Sequence, residues 1–286
     1  AETIDEKNAS DWIKDEAQKK CKNMIAVDKK FEELGLSLSE EELSTAQSTT
    51  DSYWNRISKR FEEYGISKDS FHKAATLYPL KSQKLFDFLY EKNGSKAVSD
   101  EEILNFYKEN YVYYTLGYKL KKTDSTSQEG QSTTTENGEI NNETIKTEDT
   151  TEALFKEYVE QINSNSKTID QIKADFKEKE KSENDVFTDQ AMPYEDISDD
   201  DIKEALKKLD INKATSLEKN GVFFLLFKRD INQKLPDLSK ADERTQILQK
   251  MKTSEYENLL TETANGLNIS VNNGVVNKFQ PDMFQA

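Results

Sequence analysis

The stretch "NGVFFLLFKRD", residues 220–230, places six consecutive apolar residues between an Asn-Gly pair and a basic end. An apolar run this short, opening at Gly221, predicts a strand buried on both faces rather than a helix. Such a strand needs a neighbour to pair with, and the nearest segment rich in strand-forming residues is "YVYYTLGYKL", residues 111–120. These two segments decide the fold, because most of the remaining chain has the pattern of helices.

Helical patterns lie on both sides of the two strands. "SEEEL" (Ser39–Leu43) and "SDEEI" (Ser99–Ile103) have Ser followed three residues later by Glu, the capping-box arrangement at a helix start. We expect Pro79 to break or kink the helix that contains it. The predicted helices span residues 8–34, 39–64, 67–92, 99–110, 151–162, 168–179, 198–209 and about 239–265, with the first strand at 111–122.

Three further segments have local signals of their own. "VFTDQAMPYEDI", residues 186–197, is predicted to be a loop, and Ser198 to cap the helix that follows it. "ISVNNGVVNKF", near the end of the chain, holds an Asn-Gly pair between two short apolar runs, which predicts a small hairpin. Residues 123–150 are polar and acidic with almost nothing to bury, so we expect a flexible insertion there.

The composition limits the classes of function. At 286 residues the chain has room for two domains, and its 14 Phe and 12 Tyr argue against disorder as a whole. The net charge is −15, and no cluster of Lys and Arg is present, which speaks against a nucleic-acid partner. No predicted transmembrane run and no glycine-rich phosphate loop appear.

Few residues offer nucleophilic or metal-binding chemistry. The single cysteine, Cys21, excludes an internal disulfide, and we expect it to be a small buried apolar residue of a helix. The single histidine, His72, is expected to be partly exposed on a helix, because it has no second His or Cys to form a metal site. The carboxylates of "SDDD" (198–201) suit a helix N-terminus better than a calcium loop. Tyr111, Tyr113 and Tyr114 are candidates for packing positions or an aromatic binding platform.

The order strand, three helices, strand within an otherwise helical chain resembles the SurA/PrsA family of extracytoplasmic chaperone-foldases. In that family a helical chaperone module is split by an inserted parvulin-type peptidyl-prolyl isomerase domain. "VSDEEILNFYKENY" (98–111) is similar to the family's approach to the first parvulin strand, and "VNNGVVNKFQP" to its closing segment. The resemblance implies a mostly helical α+β fold, with 1–110 and 235–286 as the chaperone module and 111–234 as a degenerate parvulin-like domain.

The resemblance also implies substrate-binding positions. In "KSENDVFTDQAM", Phe187 and Met192 match the family's aromatic residue and Met. The resemblance implies that Ile202 and Leu206, on the next helix, line the proline pocket. Phe223 stands where the family carries a histidine in its last strand, and the first strand lacks the family's histidine too. Isomerisation requires polar groups around the twisted imide. These five residues are therefore predicted to line an apolar pocket that binds without efficient catalysis, and no catalytic residue is assigned.

The implied function is binding of unfolded or partly folded polypeptides by an apolar cradle formed from the N-terminal helices and helix 239–265. No cofactor or metal is implied. The expected location is extracytoplasmic, at the cell surface or membrane-associated through a lipid anchor that would precede Ala1. Two alternatives remain: an active prolyl isomerase with an atypical site, and a surface interaction lipoprotein. The oligomeric state and the client identity are left open.

Overall fold

The fold is mostly helical with small antiparallel sheets, the α+β class predicted from the sequence. A computed structural model of the chain describes residues 3–120, 150–180 and 186–278. Backbone contacts divide the chain into a helical unit, Ala1–Ile103 with Leu238–Ala286, and a sheet unit, Leu104–Asp237. The predicted insertion 123–150 lies outside the described residues except for Thr150, which begins a helix.

The helical unit is built from two separate parts of the sequence. Its elements are β1 (Thr3–Ile4), β2 (Lys7–Asn8), α1 (Ala9–Glu33), α2 (Glu40–Glu63), α3 (Lys68–Phe71), α4 (Tyr78–Tyr90), α5 (Asp100–Asn110), α9 (Ala241–Asn265) and α10 (Asn273–Val276). A short hairpin of β1 and β2 precedes α1 and α2, and a π-helical turn at His72–Leu77 joins α3 to α4. The boundary of the unit falls within α5.

Capping residues start these helices where the sequence predicted. The Ser39 hydroxyl accepts a hydrogen bond from the Glu42 N–H at 3.1 Å, and the Glu42 carboxylate accepts one from the Ser39 N–H at 2.6 Å. Ser99 and Glu102 form the same reciprocal pair at the start of α5. The predicted helix 67–92 is instead α3, the π-helical turn and α4. Pro79 lies in the first turn of α4, a position that tolerates its missing N–H.

The C-terminal helix α9 packs on helices from the N-terminal part of the helical unit, α1 and α4. Tyr256 donates a hydrogen bond to the Ser82 carbonyl at 3.0 Å, and its ring meets Phe86 edge-on at 5.4 Å. Arg244, 3% exposed, donates to the Glu91 carboxylate and the Val98 carbonyl. These contacts join segments that lie more than a hundred residues apart in sequence.

The elements of the sheet unit are β3 (Tyr111–Leu120), α6 (Thr150–Asn163), α7 (Ile169–Glu180), β4 (Phe187–Pro193), α8 (Asp200–Lys208), β5 (Ala214–Lys219) and β6 (Val222–Arg229). Its strands form one four-stranded antiparallel sheet in the order β4-β3-β6-β5. The two central strands, β3 and β6, pair directly, as predicted from the sequence.

Strand β6 is covered on both faces, which confirms the prediction from its apolar run. Alternate residues Phe223, Leu225 and Phe227 enter a core formed with α6 and α7. Leu226 enters a second core on the other face, formed with α8. A strand in this position has no solvent-facing side, so its residues need not alternate between apolar and polar.

Several local predictions were wrong. Residues 187–193 form the edge strand β4 rather than a loop, and β5 was not predicted at all. The C-terminal Asn-Gly pair lies in the short helix α10, where the Asn272 side chain caps the first turn, and forms no hairpin. Helix α8 is capped by Asp199 instead of Ser198; its carboxylate accepts from the N–H groups of Asp201 and Ile202.

Candidate functional site

Two of the five predicted binding residues lie in the core beneath α6 and α7. The Phe187 side chain is buried and meets the Phe176 ring edge-on at 5.3 Å. Phe223, 3% exposed, enters the same core. Both residues therefore fill the interior of the sheet unit, where an incoming ligand would have to displace packed side chains.

The other three lie on the opposite face of the sheet. Ile202 and Leu206 are buried on the inner side of α8, and Met192 is half-buried beside them. The Tyr114 hydroxyl, on β3, donates to the Gln190 side-chain oxygen at 2.9 Å and lies 3.8 Å from the Met192 sulfur. The sheet separates these residues from Phe187 and Phe223, so the five do not line one common pocket.

A polar cluster ties β4 to β3 and β6. The buried Thr115 hydroxyl donates to the Asp189 carboxylate at 2.6 Å and accepts from Arg229 Nε at 2.8 Å, and Lys173 Nζ lies 2.8 Å from the same carboxylate. Burial raises the Asp189 pKa, but hydrogen bonds from Lys173 and Thr115 and the Arg229 charge outweigh it, so the pKa is lowered. The cluster satisfies its own polar groups and holds the edge strand in place.

This cluster was not predicted from the sequence. Asp189 lies two residues after Phe187, and Thr115 lies at an alternate position of the predicted strand β3. Treating 187–193 as a strand would have placed the Asp189 side chain on the same face as Phe187. The loop prediction for this segment concealed that relationship.

The sheet unit has no imidazole, since residues 104–237 contain no histidine. His72 lies in the helical unit, half-buried at the start of the π-helical turn as a helical histidine. Its Nδ1 atom lies 2.7 Å from the Thr50 hydroxyl and 2.9 Å from the Thr76 hydroxyl. These contacts join α2 to the turn and give His72 a structural role.

An apolar groove lies on the helical unit between α1 and the segment that follows α9. Its volume is about 440 Å³, within the ~300–1,000 Å³ range of ligand pockets in proteins. Ile13 and Ile25 are each 44% exposed there, a large fraction for isoleucine. The groove is lined by Ile13, Lys14, Ala17, Gln18, Cys21, Lys22, Ile25, Ile269, Ser270, Val271 and Val276.

One expectation is corrected by this groove. Cys21 was expected to be buried, but its side chain is exposed and lines the groove. The predicted cradle combined the N-terminal helices with helix 239–265; this groove is formed by α1 and residues 269–276, which follow that helix. The sequence signal for the first wall is the four-residue spacing of Ile13, Ala17, Cys21 and Ile25 along α1.

Within residues 3–120, 150–180 and 186–278, no group of three or more acidic, His or Cys side chains is arranged to hold a metal ion. None of the helices described there is both long and apolar enough to cross a membrane.

Comparison with known proteins gives matches among solved structures. No protein-family model matches the chain, and no curated protein matches it. The foldase PrsA of Streptococcus pneumoniae is 13% identical, with 92% of this chain and 88% of that chain covered and a TM-score of 0.39. The peptidylprolyl isomerase PrsA of Bacillus anthracis is 12% identical, with 88% of this chain and 97% of that chain covered and a TM-score of 0.33. PrsA of Lactococcus lactis is 12% identical, with 90% and 84% covered and a TM-score of 0.34. These are structures of the family that the sequence resembles.

Proposed function

We propose that this chain is an extracytoplasmic, foldase-like chaperone that binds unfolded or partly folded polypeptides through the groove of its helical unit. The observation that carries the proposal is the groove itself, with two half-exposed isoleucines on a helix that is otherwise highly charged. An exposed apolar surface of this kind marks an interaction site on a soluble domain. Reversible shielding of apolar client segments needs no cofactor.

The expected affinity is modest. Burying apolar surface contributes roughly 25 cal/mol per Å², and ordering a flexible client segment offsets much of that gain. We therefore expect weak, reversible binding, which suits a protein that must release its client. The sequence resemblance to the SurA/PrsA family supports this role, and it also supports a location outside the cytoplasm, with a lipid anchor as the means of membrane association.

The sheet unit is proposed to be a parvulin-like domain without efficient isomerase activity. Two observations support this: residues 104–237 contain no histidine, and the phenyl ring of Phe223 is packed in a core. A prolyl isomerase lowers its barrier by holding the twisted imide among preorganised polar groups. The arrangement of a helical unit interrupted in sequence by a sheet unit agrees with the domain organisation that the resemblance implies.

The proposal is tested by aggregation of a chemically denatured client diluted into buffer, followed by light scattering. The double variant Ile13→Ser/Ile25→Ser removes apolar surface from the groove without changing the charge. Ile211→Ser is the control, because Ile211 is 51% exposed, belongs to the sheet unit and is not one of the residues that line the groove. We expect the double variant to lose most of the suppression and the control to keep it. Equal suppression by all three proteins would contradict the proposal.

A further inference from the structure

The groove between α1 and residues 269–276 lies where the described part of the chain stops. Val276 lines the groove, and the described residues end two positions later, at Lys278. Eight more residues, "FQPDMFQA" (279–286), follow in the sequence and belong to the same helical unit. Because three residues span at most about 11 Å, this segment starts next to an open apolar surface.

The sequence of this segment alternates between apolar and polar residues. Phe279, Pro281 and Met283 are apolar, and the residues between them, Gln280 and Asp282, are polar. In an extended chain the three apolar side chains project from one side and spread over about 13 Å. Pro281 favours this conformation, because the residue before a proline is biased toward extended backbone angles. The pattern therefore suits a surface that accepts one apolar edge of an extended chain.

The segment is long enough to lie along the α1 side of the groove. Ile13 and Ile25 are twelve residues apart, which on a helix is about 18 Å. Met283 lies seven residues after Val276, and seven extended residues span up to about 23 Å. The segment can therefore reach either end of the groove from Val276. A connection this short also gives the segment a local concentration on the order of millimolar at the groove.

We propose that residues 279–283 occupy this groove when no client is bound, so that the protein carries its own competitor for the client site. This inference rests on the proposed function and specifies how the site is regulated. Phe279 and Met283 would bury apolar surface against the side chains of α1 that line the groove. The apparent affinity for a client is then reduced in proportion to the fraction of molecules in which the groove is open.

The single cysteine reports whether the groove is open, because the Cys21 side chain lines it. The full chain is reacted with N-ethylmaleimide at fixed pH, and the rate is followed by mass spectrometry. Phe279→Ser/Met283→Ser removes the apolar side of the segment, and Gln280→Ser/Asp282→Asn, which changes its polar side, is the matched control. We expect the first double variant to react about three- to tenfold faster than the wild type, and the control to react at the wild-type rate.

Client affinity gives a second, independent readout. A fluorescein-labelled decapeptide of alternating Leu and Ser is titrated with each full-length protein, and binding is followed by fluorescence anisotropy. The open fraction scales both the alkylation rate and the apparent affinity. Phe279→Ser/Met283→Ser should therefore tighten peptide binding by the same factor as it speeds alkylation, within about twofold. Thermal melts of all the variants establish that they are folded like the wild type.

The outcomes separate this inference from the proposed function. If Phe279→Ser/Met283→Ser changes neither the Cys21 rate nor the peptide affinity, the inference is wrong, and a loss of peptide binding in Ile13→Ser/Ile25→Ser would still support the client site. If Cys21 reacts faster but none of the proteins binds the peptide, the groove takes no client, so the proposed function and the competition both fail. Protection of Cys21 that weakens as the protein is diluted would assign the groove to a second copy of the chain and would overturn the inference.

Discussion

Phe187 and Met192 lie five residues apart on the same strand, and their side chains enter two different cores on opposite faces of the sheet. An odd spacing in a strand always has this consequence, because successive side chains alternate between the faces. This spacing therefore does not bring the two side chains into one pocket.

The first prediction concerns prolyl isomerisation. The full chain at micromolar concentration should leave cis-to-trans relaxation of a chromogenic X–Pro peptide near the uncatalysed rate, because residues 104–237 hold no imidazole. Phe223→His should not restore activity; it would place a polar ring in an apolar core and destabilise the protein by about 1–3 kcal/mol. A rate well above background, lost on Met192→Ala, would instead establish an isomerase.

The second prediction concerns close packing in the sheet. A Cβ atom at Gly117 would come within 2.8 Å of three ring carbons of Phe187, so Gly117→Ala should lower the free energy of unfolding by about 1–3 kcal/mol. The same substitution in a Phe187→Leu background should cost less, because the ring that it meets is gone. Urea unfolding of the wild type, the two single variants and the double variant gives a double-mutant cycle for Gly117 and Phe187. Gly266→Ala, at φ −75° with ordinary contacts, is the control and should change stability by less than about 1 kcal/mol.

The third prediction concerns the joining of the two sequence segments of the helical unit. Arg244→Met would remove a buried donor to Glu91, Asp100 and the Val98 carbonyl. The expected loss in the free energy of unfolding is about 1–3 kcal/mol, because the buried Val98 carbonyl loses its donor, whereas the Glu91 and Asp100 carboxylates, 29% and 50% exposed, regain water. Arg56→Met removes an arginine that lies over the Tyr53 ring, and should cost only about 0.5–1 kcal/mol. Similar thermal melts for the two variants would contradict the assigned role of Arg244.

The fourth prediction concerns pH. Hydrogen bonds from Lys252 and Lys96 lower the pKa of Glu255 to about 2. Because the folded pKa lies below the unfolded value of about 4.3, the ion pairs stabilise the protein fully above that value. This stabilisation is lost as the pH falls toward 2. Glu255→Gln should therefore lower the free energy of unfolding at pH 7. The gap in unfolding free energy between the variant and the wild type should shrink between pH 5 and pH 3.

Urea unfolding across that range measures this effect. Glu262→Gln, an exposed carboxylate on the same helix, is the control and should show little difference at any pH. If Glu255→Gln lowers the free energy of unfolding by the same amount at every pH, the side chain acts through packing instead of charge. Because Glu255 is partly exposed, added salt should weaken its contribution.

The helices and the central strand pair could be predicted from the sequence, because their signals are local. Capping boxes at Ser39 and Ser99 and the apolar run of β6 are each complete within a few residues. The hairpin was assigned to the wrong Asn-Gly pair. Asn220 and Gly221 both have positive φ, 51° and 74°, and form the turn that joins β5 to β6.

The groove could not be predicted from local sequence patterns. The stripe of Ile13, Ala17, Cys21 and Ile25 looks the same in sequence whether a neighbour covers it or not. Its exposure depends on where residues 269–276 lie after α9, which is a matter of tertiary packing. For the same reason Cys21 was predicted to be buried, although it is exposed in the groove.

The single cysteine allows the most direct test of the central claim, that client segments occupy the groove. The wild-type chain is labelled at Cys21 with a benzophenone maleimide, mixed with a reduced, denatured client and illuminated, and the cross-linked peptides are identified by mass spectrometry. The control carries the same label at Glu63→Cys in a Cys21→Ser background, on the exposed end of α2. Strong cross-linking of apolar client segments from Cys21, and little from position 63, is the predicted result. Equal or negligible cross-linking from both positions, with the labelled chain still folded, would contradict the account.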